Sequence, residues 1–451
     1  MGIEIGIGLL TLIMFGSLLV LLMAGLPLAF VTGGLACVFL FILGDAQALN
    51  IVPSRIFPLM TNYQLSAIPL FIFMAAMLER AGIINDMFDV IYKVLGGVKG
   101  GLASATVIAS TILAAMVGVI GAAVVTMGII ALPAMLQRNY DPKIAMGSIM
   151  AGGTLGILIP PSILAIIYAV VAEQSVGELF IGAVIPGLLL SGMYIAYVTL
   201  RCYINPALGP AIPVAERVSN LEKLHLVGKM GAPITLVVVV LGVIFSGIAT
   251  PVEAAGIGTF GAFIVAAIHR KLDWPTVREA CLTTLKASAM VIWIMFGATI
   301  FVGLYVLEGG QQFVEEALAA TGLGPWGILI VMQIILVILG MFLDWVGILL
   351  LCVPIFVPII KALGAASFGL DSPDDLVLWF GVLYLVNMQM SFLSPPFGYA
   401  LFYLRGVAPP EIPMTDIFKA AVPFLMLQVV GLLVCMLFPQ VIIWLPRLVY
   451  G

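Results

Sequence analysis

"GILIPPSIL", residues 156–164, decides how this chain is read. The stretch lies inside an uncharged run from Ile144 to Ala172, long enough to cross a bilayer, yet Pro160 and Pro161 stand side by side within it. Proline removes a backbone donor and clashes with the preceding turn, at roughly 3 kcal/mol or more in a helix interior. The segment therefore reads as a helix broken at membrane depth, and its freed backbone groups require partners.

Composition supports a membrane setting. Hydrophobic residues make up 63% of the 451 positions and charged residues 9%, and the mean hydropathy is +1.25. Uncharged runs such as 179–200, 230–252, 287–307 and 420–446 exceed or match the ~20 residues that a spanning helix needs. The chain is expected to be an all-α polytopic membrane protein. The N-terminus lacks a basic n-region and a small-residue cleavage site, so Ile5 to Ala24 reads as a retained helix. Cys37, Cys202, Cys281, Cys352 and Cys435 form no CxxC pair and read as packing residues. A net charge of −4 with no basic patch gives no sign of a nucleic-acid partner.

The charges set the topology. Arg201, Arg217, Lys223 and Lys229 mark one loop, and Arg270, Lys271, Arg278 and Lys286 mark a second, with two helices near 230–247 and 252–268 between them. The turn joining those helices has no basic residue, which places both loops in the cytoplasm. Counting backward puts Arg80, Lys93 and Lys99 inside, given helices near 5–24, 28–43, 58–79 and 178–200. The uncharged residues 100–137, interrupted by Gly118 and Gly121, then form either a re-entrant hairpin or two full spans. Forward, a helix near 287–306 leads outward, residues 325–360 form a second hairpin entered from outside, 376–404 crosses inward and 420–440 outward.

An inverted repeat emerges. Pro160-Pro161 recurs as Pro395-Pro396, an offset of 235 (395 minus 160), and ELFIGAVIP ending at Pro186 resembles DIFKAAVP ending at Pro423. Each pair follows a Gly-interrupted hairpin, and the two copies enter from opposite faces. The boundaries expected are 1–98 for N-terminal scaffold helices, 99–205 for the first transport repeat, 206–324 for scaffold helices and loops, and 325–451 for the second repeat.

An unwound segment at this depth exposes carbonyl oxygens suited to Na⁺, and leaves a half-helix N-terminus whose N–H groups suit an anionic substrate group. Ser162 and Ser394 flank the two breaks, while Gly152, Gly153, Thr154 and Gly156 surround the first. Asp344 is the lone acid between Glu316 and Asp371, and a carboxylate at that depth reads as lining the site or serving the cation. Glu253 reads as a capping or interfacial glutamate as readily as a functional one, and Arg405 either attracts a carboxylate or snorkels to the interface. An intramembrane enzyme is disfavoured: His225 and His269 are the only histidines and neither HExxH nor GxSxG occurs.

Taken together these segments resemble a known family, the large membrane subunit of tripartite ATP-independent periplasmic (TRAP) transporters, in its dicarboxylate and sialic-acid branch. The resemblance is carried by SAIPLFIFMAAMLERAGI at 66–83, ALPAMLQRNYDPKIAMGSIMAGGTLGILIPPSILAIIYAV at 131–170, GIATPVEAAGIG at 247–258, GMFLDWVGILLLCVPIFVPI at 340–359 and SPPFGYALFYLRGVAP at 394–409. It implies a secondary transporter of a bacterial or archaeal inner membrane, coupled to Na⁺ and working as an elevator. It also implies two partners, a small four-helix membrane subunit separate from this chain and a periplasmic substrate-binding protein, with a mono- or dicarboxylate or keto acid as cargo. Carried onto this sequence, the resemblance places Na⁺ near Gly118 to Gly121 with Pro160 to Ser162, and near Asp344 to Gly347 with Ser394, Pro395 and Pro396. Many relatives carry a serine-rich first tip where this chain reads GVIGAA, with Ala122 and Ala123, so backbone carbonyls are expected to do more of the ligation here. The alternative is a single-component Na⁺/carboxylate symporter of related fold.

Overall fold

The computed structural model describes residues 6–117, 120–213, 219–396 and 398–451, and helices are the only regular secondary structure among them. Among the described residues, seven helices are long and apolar enough to cross a membrane: Ile120–Gln137, Val176–Ile204, Pro251–Ile268, Trp274–Leu307, Trp345–Leu363, Pro373–Leu393 and Met414–Leu437. A pair bent by 62°, Ala46–Met60 with Tyr63–Arg80, makes up to eight. The chain is an all-α polytopic membrane protein.

Two elements depart from the expected spans. The helix expected near 58–79 is interrupted at Thr61 and Asn62, where the Asn62 side chain accepts the Gln64 N–H at 2.9 Å and starts a new turn that leads into Ala67–Arg80. The span expected from residue 287 begins thirteen residues earlier, at Trp274, so most of the expected loop Arg270 to Lys286 is helix. Asp273 is the cause: its carboxylate accepts the Thr276 N–H at 2.8 Å, with Pro275 in the first turn. That bond also holds the Asp273 carboxyl below its ordinary range.

The contacts at each end of the molecule agree with the charge-based topology. Segments assigned to the inside meet one another: Arg80 pairs with Glu279 at 2.8 Å, and the Gly100 and Asp141 N–H groups bond the carbonyls of Gly209 and Leu208, both at 2.9 Å. Segments assigned to the outside do the same. Arg447 pairs with Asp371 at 2.9 Å and with Asp375, and the Tyr450 hydroxyl bonds the Ile244 carbonyl at 3.0 Å.

Both hairpins turn back beside a break instead of running the length of the broken helix. The first hairpin has arms Gly101–Val117 and Ile120–Gln137. It lies against Pro142–Thr154, the first half of a broken helix that resumes at Ile163–Ala172. Gly153, next to the end of that first half, faces Val124, four residues past the start of the returning arm. The second hairpin, Pro325–Gly340 and Trp345–Leu363, lies likewise against Pro373–Leu393, which resumes at Tyr399–Val407. Gly340, at the end of its first arm, faces Ser391.

The returning arms exchange partners: Ile120–Gln137 packs on Tyr399–Val407, and Trp345–Leu363 packs on Ile163–Ala172. The broken helices meet where the ring of Tyr168 lies over Gly381 and its hydroxyl donates to the Val377 carbonyl at 2.9 Å. The remaining helices gather around Trp274–Leu307, which contacts Leu28–Ala48, Ala67–Arg80 and Ile51–Met60 on one part of its surface and Trp345–Leu363 on another. All five cysteines are free; Cys202, Cys352 and Cys435 are buried as packing residues, whereas Cys281 is exposed.

Candidate ion and substrate site

The first break is a buried strip of acceptors. Thr154 ends the first half, Gly156 sits in a single 3₁₀ turn, and Leu158 to Pro161 are non-helical and buried, with a cis bond between Pro160 and Pro161. No described residue donates a hydrogen bond to the carbonyls of Leu158, Ile159, Pro160 or Pro161. Buried carbonyls without donors are costly, and oxygen-only sites of this kind suit a hard cation.

Ser162 closes the break. Its hydroxyl donates to the Ile157 carbonyl at 2.5 Å and accepts the Ala165 N–H at 3.3 Å, so it is the N-cap of Ile163–Ala172 and keeps one lone pair free. Ser162→Ala is expected to cost about 1–2 kcal/mol through the lost cap, measured as a lower melting temperature in detergent, and to raise the Na⁺ concentration at half-maximal uptake. An unchanged Na⁺ requirement would leave the hydroxyl a purely structural role.

The second break is built differently. Ser394 ends the first half, donating to the Met390 carbonyl at 2.7 Å, and its own carbonyl accepts the Gly398 N–H at 3.0 Å. Pro395 and Pro396 follow, again joined by a cis bond, and the second half starts at Tyr399 with no side-chain cap. The two serines thus stand on opposite sides of their proline pairs and are not equivalent positions. Gly118 lies outside the described residues.

Asp344 and Gly347 belong to the second tip. Asp344 is the N-cap of Trp345–Leu363, accepting the Val346 N–H at 3.2 Å, and it lines a cavity of about 670 Å³ with Leu28, Trp293, Leu343, Tyr399 and Tyr403. Gly347 faces the Leu28 side chain, so the tip meets the helix Leu28–Ala48 with no side chain of its own between. Gly121 faces the Tyr403 ring, where a Cβ would stand 3.1 Å from Cζ. Tyr403 therefore joins the first tip to the cavity at the second. Proximity of the two hairpin tips, through Tyr403, was not visible in the linear order.

Buried amides ahead of the breaks were also missed. Asn387 Nδ2 donates to the Gln333 side-chain oxygen at 2.7 Å and to its carbonyl at 2.9 Å. Asn387 Oδ1 and both amide atoms of Gln389 have no partner among the described residues. Near the first break, Gln428 donates to Thr154 at 3.2 Å while its own oxygen is unpartnered. The signal was available: NMQMS at 387–391 places three polar residues in an otherwise apolar run just before the break.

Two other candidates take structural roles. Glu253 forms a capping box with Thr250, accepting its N–H at 2.8 Å. Arg405 donates to the Ile412 carbonyl at 2.5 Å and to that of Pro409 at 3.5 Å, pinning the loop after Tyr399–Val407.

Residues 15–441 match the family described as the tripartite ATP-independent periplasmic transporter, DctM component. The chain belongs to this family. The C4-dicarboxylate TRAP transporter large permease protein DctM of Pseudomonas aeruginosa is 32% identical over 92% of this chain and 93% of its own length. The sialic acid TRAP transporter large permease protein SiaM of Vibrio cholerae is 28% identical over 96% of this chain and 97% of its own. Among solved structures, the YdaH transporter of Alcanivorax borkumensis superposes with a TM-score of 0.66 at 14% identity, covering 94% of this chain and 98% of that one, a likeness of fold. As a DctM-family large permease the chain is a multi-pass protein of the inner membrane.

Proposed function

We propose that this TRAP permease subunit carries a small organic anion, a mono- or dicarboxylate or keto acid, into the cell together with Na⁺. The observation that carries the reading is the buried strip of unpartnered carbonyls at Leu158 to Pro161 beside Ser162. Carbonyl and hydroxyl oxygens bind a hard monovalent cation without a charged side chain, and the donor set fits Na⁺. At the second break the uncapped N-terminus of Tyr399–Val407 and the Tyr399 and Tyr403 rings border the Asp344 cavity, offering free N–H groups to a carboxylate and a carboxylate to a cation.

In this reading the hairpins and broken helices, within 99–205 and 325–451, move as one body against a scaffold formed by 1–98 and 206–324. The long helix Trp274–Leu307 is the surface along which that body travels, and the bare backbone of Gly347 against Leu28 keeps the contact shallow. The relatives' names point to C4-dicarboxylates and sialic acid as the classes of cargo to try first. A small four-helix membrane subunit and a periplasmic binding protein complete the transporter.

The test is uptake into proteoliposomes holding this chain, its small membrane subunit and the binding protein, with labelled succinate, pyruvate and N-acetylneuraminate, with and without an inward Na⁺ gradient. Accumulation that needs both Na⁺ and the binding protein is the expected result. Accumulation without the binding protein would replace this reading by a single-component symporter, and uptake indifferent to Na⁺ would remove the coupling ion.

A further inference from the structure

A second cavity, of about 310 Å³, lies elsewhere along the interface between Trp274–Leu307 and the returning arm of the second hairpin. The Asp344 cavity touches that long helix at Ala289 to Ile294, whereas this one touches it at Thr299 to Val306, and touches the hairpin arm at Leu350 and Pro354. Val170 and Val171, at the end of the first broken helix, complete its wall. By the charge-based topology these segments lie toward the outside, so the cavity is on the side from which cargo arrives.

Among the described residues, Arg55 is the one charged side chain on its wall. It forms no hydrogen bond or ion pair with any described residue, although it is partly buried. Its placement is built into the opposite helix: a Cβ on Gly303 would stand 3.1 Å from Arg55 Nε and 3.4 Å from Cδ and Cζ, so the guanidinium stem lies on the bare backbone of Gly303. Gln311, the other long polar side chain at the wall, has its amide nitrogen held by Glu315 at 3.1 Å, which keeps that acid occupied nearby. A half-buried guanidinium among Val170, Val302, Val306 and Leu350 has lost part of its hydration and gained no counter-charge from the described residues.

We propose that Arg55 receives the carboxylate of the transported anion at the outer end of the interface, before the anion reaches the breaks. A guanidinium presents a planar fork of donors that a carboxylate meets with two parallel hydrogen bonds. The inference rests on the anion-transport reading above. The phosphate of a lipid headgroup offers the same chemistry, and the experiment separates the two sources.

The experiment uses the purified complex of both membrane subunits and measures the dissociation constant of succinate, or of whichever anion of the panel wild type accumulates, by calorimetry at fixed Na⁺. Arg55→Gln is expected to weaken binding at least about tenfold, Arg55→Lys to recover part of the loss, and Gly303→Ala, which displaces an intact Arg55, to weaken binding in the same direction. In uptake, KM should rise more than Vmax falls. Unchanged anion affinity in Arg55→Gln would overturn the proposal, and if that variant instead loses co-purifying anionic phospholipid the residue is a headgroup anchor. Should wild type accumulate no anion of the panel, the transport reading itself fails and this inference with it.

Discussion

Asp344→Asn should lower Na⁺-dependent uptake by about 100-fold or more while leaving the permease folded. The substitution separates two roles that one side chain now holds. Asparagine caps a helix about as well as aspartate, so the bond to the Val346 N–H at the start of Trp345–Leu363 survives. Only the negative charge beside Tyr399 and Tyr403 is removed from the cavity. Asp344→Ala, by contrast, loses charge and cap together and should add roughly 1 kcal/mol of destabilisation. The measurement is initial uptake against Na⁺ concentration in proteoliposomes, beside melting curves of the purified variants. Wild-type uptake at the wild-type Na⁺ requirement in Asp344→Asn would show that the charge is not used.

Gly297→Leu is expected to abolish the folded permease altogether. Here Trp274–Leu307 crosses Leu28–Ala48 with backbones in contact: a Cβ on Gly297 would meet Thr32 Oγ1, stand 2.6 Å from the Ala29 carbonyl oxygen and 3.0 Å from the Gly33 nitrogen. On the facing helix, a Cβ on Gly33 would already be 3.5 Å from the Gly297 Cα. Small residues at such crossings are what allow membrane helices to associate. Overpacking by even a few methylenes costs about 1–3 kcal/mol, and a leucine against rigid backbone adds more, against a total stability of about 5–15 kcal/mol. Gly192→Leu is the control, because a Cβ on Gly192 meets nothing within 4 Å. Size-exclusion profiles in detergent check the prediction; equal monodispersity of the two variants would refute it.

Much of the architecture was legible because membrane sequences state it in two ways. A bilayer leaves few places for charge, so Arg80 and the residues around Glu279 were assigned to one side, and the structure joins them in an ion pair. Proline pairs in uncharged runs have one physical outcome, a break, and both breaks lie where the pairs stand. Hydropathy was a poorer guide to where helices begin. It missed the cytoplasmic extension of Trp274–Leu307, whose start is set by the Asp273 cap and Pro275, signals that do not depend on apolarity. It also missed the interruption at Asn62, for the same reason.

The sequence alone determined that this chain spans a membrane with helices and that two of them are broken at Pro160-Pro161 and Pro395-Pro396. Each of these follows from local chemistry: transfer cost, the missing proline N–H and the spacing of charges. Only the tertiary structure decided which groups share a site. It brought Gly121 of the first hairpin to Tyr403 of the second broken helix, engaged Arg405 with loop carbonyls, gave Asp344 a capping bond and laid Arg55 on Gly303. Of these, Gly121 with Tyr403 and Arg55 with Gly303 join residues far apart in sequence, the first through the exchange of hairpin arms between the two broken helices. No local propensity encodes such an exchange, because it is fixed by how bare glycine surfaces let particular helices approach.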